Sequence, residues 1–346
     1  MKQMASRGVT VREVAAETGL SIATVSRVLN GYAHVAPQTR ELVRAAMERL
    51  GPHAPRPRAG GARADPAQPR AVFVRCPYQL TDYFGLIVSS IAETLQRHGR
   101  HAVLDAGQFA QQEDVLPGLA ERPGVGGAIL ILPPEPSGQL EQLNATGFPF
   151  VVVDPRTRPP RDIPAVSAAH FAGARAVTEH LLRLGHRRIG VLAGPGNWLA
   201  GKARLAGHAS ALADVGRLVD HELVRAAEPT AQFGHHAAGE LLELPDPPTA
   251  IVGFNDKVAT GVLTAAANRG LRVPADLSVT GFDDIDLAQA TTPPLTTVRQ
   301  PLEEMGRMAV SLIIRLLDRH QLEGLHVELS TELVIRGTTA PVKGSG

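Results

Sequence analysis

Near the start of the chain a small residue, a turn residue and an aliphatic residue stand at fixed offsets. They are Ala15, Gly19 four positions later, and Val25 ten positions after the alanine. Two helices that cross tightly need a small side chain at the crossing. They also need a turn residue that tolerates positive φ and an aliphatic anchor on the second helix. Val14, Leu20 and Val28 supply the surrounding apolar contacts. Thr10-Val11-Arg12-Glu13 reads as a capping box and starts a first helix near Val11 that ends at Gly19. Ser21 caps a second helix from Ile22 to about Asn30, and Pro37 opens a third that runs to about Leu50. The spacing points to a helix-turn-helix; a three-helix module for protein contacts is the plainer alternative.

In a helix-turn-helix the second helix enters the major groove with its amino-terminal residues at base edges. The candidate DNA-contacting residues are therefore Ser21, Ile22, Ala23, Thr24, Ser26, Arg27 and Asn30. Arg27 carries the fork that pairs with guanine, while Ile22 and Ala23 offer apolar contact, for instance to a thymine methyl. Ser21, Thr24, Ser26 and Asn30 suit phosphates, which position a protein without reading sequence. The charge distribution agrees. Residues 1–64 hold ten Lys and Arg against four Glu, whereas the remainder holds 25 bases against 30 acids. A basic head on an acidic body suggests that the head meets a polyanion.

Pro52, Pro55, Pro57, Pro66 and Pro69, with Gly60 and Gly61, mark a linker that also carries Arg56 and Arg58 as candidate DNA contacts. From Ala71 onward short apolar runs alternate with amphipathic segments. Strands are expected at Ala71–Arg75, His101–Asp105, Gly127–Leu132, Phe150–Val153, Arg188–Ala193, Thr249–Gly253 and Leu277–Phe282. Helices are expected at Tyr83–His98, Phe171–Leu184, Leu199–Val215, Asp256–Arg269 and Leu302–Leu317. Such alternation predicts an α/β fold with parallel sheets covered on both faces, and its length suits two similar lobes. The one cysteine, Cys76, excludes an intramolecular disulfide and any multi-cysteine metal site. Residues 1–10 show no apolar export signal, and no apolar run is long enough to span a membrane, so a cytoplasmic protein is expected.

The segment Val9–Leu50, and within it the run TVSRVLN, resembles the DNA-binding head of the lactose-repressor family of bacterial regulators. HLLRLGHRRIGVLAGP, FNDKVATGVL, GLRVPADLSVTGFDDI, PPLTTVRQP and TELVIRG resemble that family's core, in order and over nearly the whole chain. The resemblance implies a homodimer on a pseudo-palindromic operator, with one head per half-site. It implies a core of two doubly wound, periplasmic-binding-protein-like lobes with a small effector, by default a carbohydrate, in the cleft. The implied segments are a head at 1–52, a hinge at 53–69, a first lobe at 70–166 plus 298–326, a second lobe at 167–297 plus 327–340, and a tail at 341–346. The chain would cross between lobes near 166–169, 294–299 and 325–328. No cofactor, metal or membrane partner is implied, and no enzymatic activity; repression is the expected mode.

Carried over by position, Asp154, Asn255 and Asp283 fall where the family hydrogen-bonds its effectors. Asn255 can equally cap the helix it precedes. Phe84 and Trp198 can stack on a sugar face or simply pack. The family's arginine after GVLAGP aligns here with Lys202, a point charge without a fork, and Arg204 is expected to face elsewhere. Gly61 stands where the family wedges a leucine into the minor groove, so a looser hinge is expected. Two other readings compete. Gly196 to Lys202 fits a phosphate-loop spacing, yet Ala203 stands where Mg²⁺ needs Ser or Thr. A solute-binding protein would share the core, but the missing export signal and the DNA-binding head argue against it.

Overall fold

Thr10 begins the first helix by the reciprocal cap its sequence predicts. Its amide donates to Glu13 Oε2 at 2.6 Å, and the Glu13 amide donates to Thr10 Oγ1 at 3.4 Å. The computed structural model describes residues 10–29, 36–50, 71–111, 114–320, 322 and 325–342. The chain divides into two units, Met1–Gln68 and Pro69–Gly346.

In the first unit α1 (Val11–Thr18), α2 (Ile22–Leu29) and α3 (Pro37–Leu50) enclose a small core of Val14, Ala15, Val25, Val43 and Ala46. Gly19 takes the left-handed conformation that the tight turn requires, with φ +68°. Ser21 caps α2, its Oγ accepting from the Thr24 amide at 3.0 Å. The predicted contact residues Asn30, Arg56 and Arg58, and Gly61 with the looser hinge expected there, lie outside the described residues.

The second unit holds two parallel sheets. The first contains β1 (Ala71–Cys76), β2 (His101–Ala106), β3 (Val125–Ile131), β4 (Phe150–Val153), β5 (Ala165–Ala168) and β11 (His326–Leu329), in the order β11-β5-β4-β3-β1-β2. Side chains alternate between its faces. Val72, Val74, Ile129, Ile131, Val151 and Val153 meet α4 (Asp82–Arg97) and α11 (Leu302–Leu317) on one side. Phe73, Leu130, Phe150 and Val152 meet α5 (Ser137–Ala145) on the other. The second sheet contains β6 (Ile189–Ala193), β7 (Val224–Ala226), β8 (Ala250–Gly253) and β9 (Ser278–Thr280), in the order β7-β6-β8-β9. Around it pack α6 (His170–Arg183), α7 (Leu199–Asp214), α8 (Ala231–Leu242) and α9 (Asp256–Asn268). The antiparallel pair β10 (Thr297–Arg299) and β12 (Glu332–Val334) joins this lobe through bridges to Thr280 and Asp283. Among the described residues no helix is long and apolar enough to cross a membrane.

The chain passes between lobes after Ala168, after Arg299 and after Leu329. This moves the expected boundaries. Val327, Glu328 and Leu329 pair with Val166, Ser167 and Ala168 and so complete the first sheet, not the second. Val298 and Arg299 pair with Leu333 and Glu332 and stay with the second lobe. The cause is that a strand must finish its ladder before the chain can leave the sheet. These strands of three or four residues are too short for their own pattern to mark their ends.

Candidate functional site

In a doubly wound sheet the loops on either side of the point where strand order reverses part from each other and leave a crevice at the carboxyl ends. Here the reversals lie between β1 and β3 in one lobe and between β6 and β8 in the other. The loops at both reversals carry aromatic side chains. Tyr78, after β1, donates its hydroxyl to the carbonyl of Leu132, after β3, at 3.0 Å. Trp198, after β6, meets Phe254, after β8, edge to face with centroids 6.2 Å apart. Leu132, Tyr78 and Phe84 come from the first lobe yet pack against the second lobe's core, so the two sets of loops touch. Backbone strain gathers at the same place. Of the six non-glycine residues with positive φ among the described residues, Asp82, Leu132, Asp154, Asp283 and Asp284 all stand at strand or loop ends around this cleft.

Below the aromatic groups lies a buried polar chain. Asp154 Oδ2 accepts from the Tyr83 hydroxyl at 2.7 Å, and Oδ1 lies 2.7 Å from His170 Nε2. The other ring nitrogen of His170 lies 3.4 and 3.3 Å from Nε and Nη2 of Arg204. Arginine only donates, so Nδ1 accepts and Nε2 carries the proton given to Asp154. Arg204 rests over the rings of Phe254 and Phe282, 4.3 and 3.7 Å from their centroids. Its Nη1 donates to the Phe254 carbonyl at 2.5 Å, and its Nη2 lies 3.7 Å from Asp283 Oδ1. Gln300 Nε2 donates to Asp283 Oδ1 at 2.6 Å, while Gln300 Oε1 is buried with no hydrogen-bond partner.

Three aspartates here differ in their hold on a proton. Burial pushes Asp154 upward, but His170, the Tyr83 hydroxyl and Arg204 outweigh it and hold the carboxyl below its usual range. Burial pushes Asp283 up to about 6 in spite of Arg204 and Gln300. Asp256, which accepts from Thr297 Oγ1 and the Ile285 amide, is pushed well above its usual range by burial and by the charge of Asp283.

The structure brings Asp154 and Asp283 into one network through His170 and Arg204. Asn255 caps α9, its Oδ1 accepting from the Val258 amide at 2.9 Å, which leaves its amide nitrogen as the group available to a ligand. Phe84 stacks on Tyr78 with centroids 4.5 Å apart, so one of its faces is already covered. Trp198 is 9% exposed. Lys202 is a correction: it is exposed on α7, and Arg204, expected to face elsewhere, is the residue that turns into the cleft. A signal for this was present in Gly207. A Cβ there would lie 2.2 Å from the Phe171 carbonyl, so Gly207 faces α6, and residues three apart share a helix face. Arg204 therefore also faces the start of α6, where His170 stands. Tyr78, Tyr83, His170 and Gln300 were missed altogether. Two of the chain's three tyrosines within six positions was the available hint for the first pair.

The segment Gly196–Lys202 does not form an open phosphate cradle. The Trp198 amide donates to the Pro195 carbonyl, and the Leu199 amide to the Arg156 carbonyl at 2.7 Å. At the head, Ser21 and Ile22 are exposed at the start of α2, with Ile22 51% exposed and Thr24 partly so. An isoleucine left in water at that position suits an apolar contact with a base edge. Ala23, Ser26 and Arg27 are residues of the same helix.

Residues 10–53 match the model for bacterial regulatory proteins of the lacI family, and residues 178–339 match that for the periplasmic binding protein-like domain. The HTH-type transcriptional repressor CytR of Escherichia coli (strain K12) is 35% identical over 339 residues, 95% of this chain and 96% of that one. The solved complex of the transcriptional regulator CelR with cellobiose superposes with TM-score 0.72 at 30% identity, covering 95% of this chain and 99% of that one. The lac repressor dimer bound to operator and the anti-inducer ONPF superposes with TM-score 0.69 at 29% identity, covering 96% and 100%.

Proposed function

Because this chain belongs to the lactose-repressor family of bacterial regulatory proteins, we propose that it is a cytoplasmic, non-catalytic repressor whose operator affinity is set by a neutral, hydroxyl-rich effector in the cleft. The head is a DNA-binding helix-turn-helix, and α2 reads the major groove through Ile22, Ala23 and Arg27, with Ser21, Thr24 and Ser26 on phosphates. The effector meets Asp154, Asn255, Asp283 and Gln300, with Phe84 and Trp198 against its apolar face. Arg204 takes the role the sequence pattern had given to Lys202.

The observation that carries the effector class is how Arg204 spends its donors. They go to His170, the Phe254 carbonyl and the neighbourhood of Asp283, so the deep cation is already engaged. What remains at depth is mostly acceptor oxygen, on Asp154, Asp283 and Gln300. Such a site matches the hydroxyl donors of a sugar and penalises a phosphate. The CelR complex, which holds cellobiose, supports the same class. Exposed Leu86 on α4 and Leu104 on the same side of the edge strand β2 offer an apolar face for the second copy of a homodimer. The effector acts only through unequal affinity for the DNA-binding and released states.

Calorimetric titration with neutral mono- and disaccharides and their phosphate esters, paired with gel-shift of operator fragments, tests the reading. A neutral sugar should bind and change operator affinity, and Asp283→Asn should weaken that sugar by about tenfold, as loss of a charged hydrogen bond predicts. Tighter binding of a phosphate ester than of its parent sugar would overturn the effector class.

A further inference from the structure

Two contacts join the lobes without belonging to the polar chain beneath. The first centres on Arg156, in the loop after β4 of the first lobe. Its guanidinium lies 5.1 Å from the ring centroid of Trp198, at the start of α7 in the second lobe, and 6.0 Å from that of Tyr78. It donates to the Tyr78 hydroxyl, and its own carbonyl accepts from the Leu199 amide at 2.7 Å. The second contact joins helix starts. Lys257 Nζ, on α9 of the second lobe, lies 3.0 Å from Asp82 Oδ2 and 3.4 Å from Thr81 Oγ1 at the start of α4 in the first. Asp82 reaches it from a left-handed backbone, φ +43°, a conformation that aspartate tolerates better than most residues.

Neither contact is needed to close the core of a lobe, since each runs from a loop or helix end of one lobe to the other. Arg156 also carries a sign of reversibility. Its Nε is buried without a hydrogen-bond partner. A buried donor left unmade opposes the shut state, and water would satisfy it on opening. The ring faces of Trp198 and Tyr78 favour the shut state in return. The two effects together describe a catch that holds but can release.

We propose that Arg156 and the Asp82–Lys257 pair form a two-point latch that holds the cleft shut in the free protein, Arg156 gripping Trp198 from the facing lobe. The latch goes beyond the effector reading and does not depend on it, because it acts with the cleft empty. The ion pair is partly exposed, its side chains retaining 41% and 35% of their surface, so it contributes modestly. Its loss should raise the open population about two- to fivefold. Loss of the Arg156 clamp should raise it roughly tenfold.

Trp198 is the chain's one tryptophan, so its fluorescence reports this contact alone. Acrylamide quenching is measured on the full-length protein without ligand or DNA, with thermal melting to establish that each variant is folded. Wild-type Trp198 should be well shielded. Lys257→Gln and Asp82→Asn should each increase quenching, and the double variant should be no more open than either single one. Arg156→Gln should increase it further, with Arg156→Lys between, since lysine keeps the charge and loses the fork. The latch is overturned if wild-type Trp198 is quenched as freely as in the urea-unfolded chain. It is equally overturned if Lys257→Gln leaves quenching unchanged, or if the two ion-pair substitutions act independently. Failure to bind any sugar would count against the effector reading and leave these outcomes untouched.

Discussion

The first lobe hides charge inside an aliphatic sheet, whereas the second buries three histidines and has helices that touch backbone to backbone. In the first, Arg75 of β1 is 1% exposed and holds Glu135 Oε1 at 2.8 Å and Asp105 Oδ2 at 2.5 Å. In the second, His180, His186 and His208 are all buried, and burial lowers the pKa of each. Its helix pairs close on glycine: a Cβ on Gly234 of α8 would lie 2.1 Å from the Val258 carbonyl, and one on Gly261 of α9 would lie 2.0 Å from that of Ala231. Apart from the pairs Arg204–Asp283 and Arg336–Asp284, the second lobe is thus held together by close approach of helices, and the first by an ion pair inside its sheet. The second lobe should be the one that responds to pH and to added bulk.

The largest expected effect lies in the first lobe. Arg75→Met removes the cation from between Glu135 and Asp105 and should destabilise the sensor by about 3–5 kcal/mol in urea unfolding, as for any buried pair broken from one side. A loss below about 1 kcal/mol would mean that the carboxylates find other donors, and the contrast between lobes would fail there.

Next comes bulk. Gly261→Ala should cost roughly 3 kcal/mol, because backbone on both helices must move. Gly306→Ala in α11 of the first lobe should cost about 1–2 kcal/mol, since its Cβ would meet the Ile87 carbonyl at 2.8 Å and otherwise the side chain of Ser90. Equal losses would show that the two lobes are packed alike.

The smallest net effect, and the most diagnostic, is in pH, because two titrations there oppose each other. His208 is pushed down to about 4, so between pH 6.5 and 4 the native state binds fewer protons than the unfolded chain, and acidification destabilises. Asp283 is pushed up to about 6, so between pH 6 and 3.8 the native state binds more protons, and acidification stabilises. Each is worth about 3 kcal/mol over its full titration, and between about pH 6 and 4 they oppose. Asp283→Asn should therefore steepen the loss of stability as pH falls from 6.5 to 4.5, and His208→Gln should flatten or invert it. Denaturant midpoints across that range check both; identical slopes in the two variants would remove the titrating groups from the second lobe.

Much of the architecture was legible from local chemistry. The capping box at Thr10, the serine cap at Ser21 and the glycine turn at Gly19 act within a few residues of themselves, so the head could be drawn from the chain alone. The long strands and helices of the lobes announced their period in the same way. The site was legible only in part. Asp154 and Asp283 were picked out by the family resemblance, and they stand at strand ends, where the fold puts its crevice. His170 and Gln300 enter only because the chain crosses between lobes beside them, and no local pattern marks a crossing.

The head is the clearest case of what sequence alone determines here, because its helices are specified by caps that act within one turn and by offsets of four and ten residues. Which residue fills the arginine's place was decided by tertiary packing. Along the chain Lys202 is the aligned residue, and Arg204, two positions on, is expected to face elsewhere. The close contact of Gly207 with α6 sets the rotation of α7, and that rotation sends Arg204 inward to His170 and leaves Lys202 in water. A side chain's direction on a helix depends on what the opposite face must touch, and that is settled only when the helices meet.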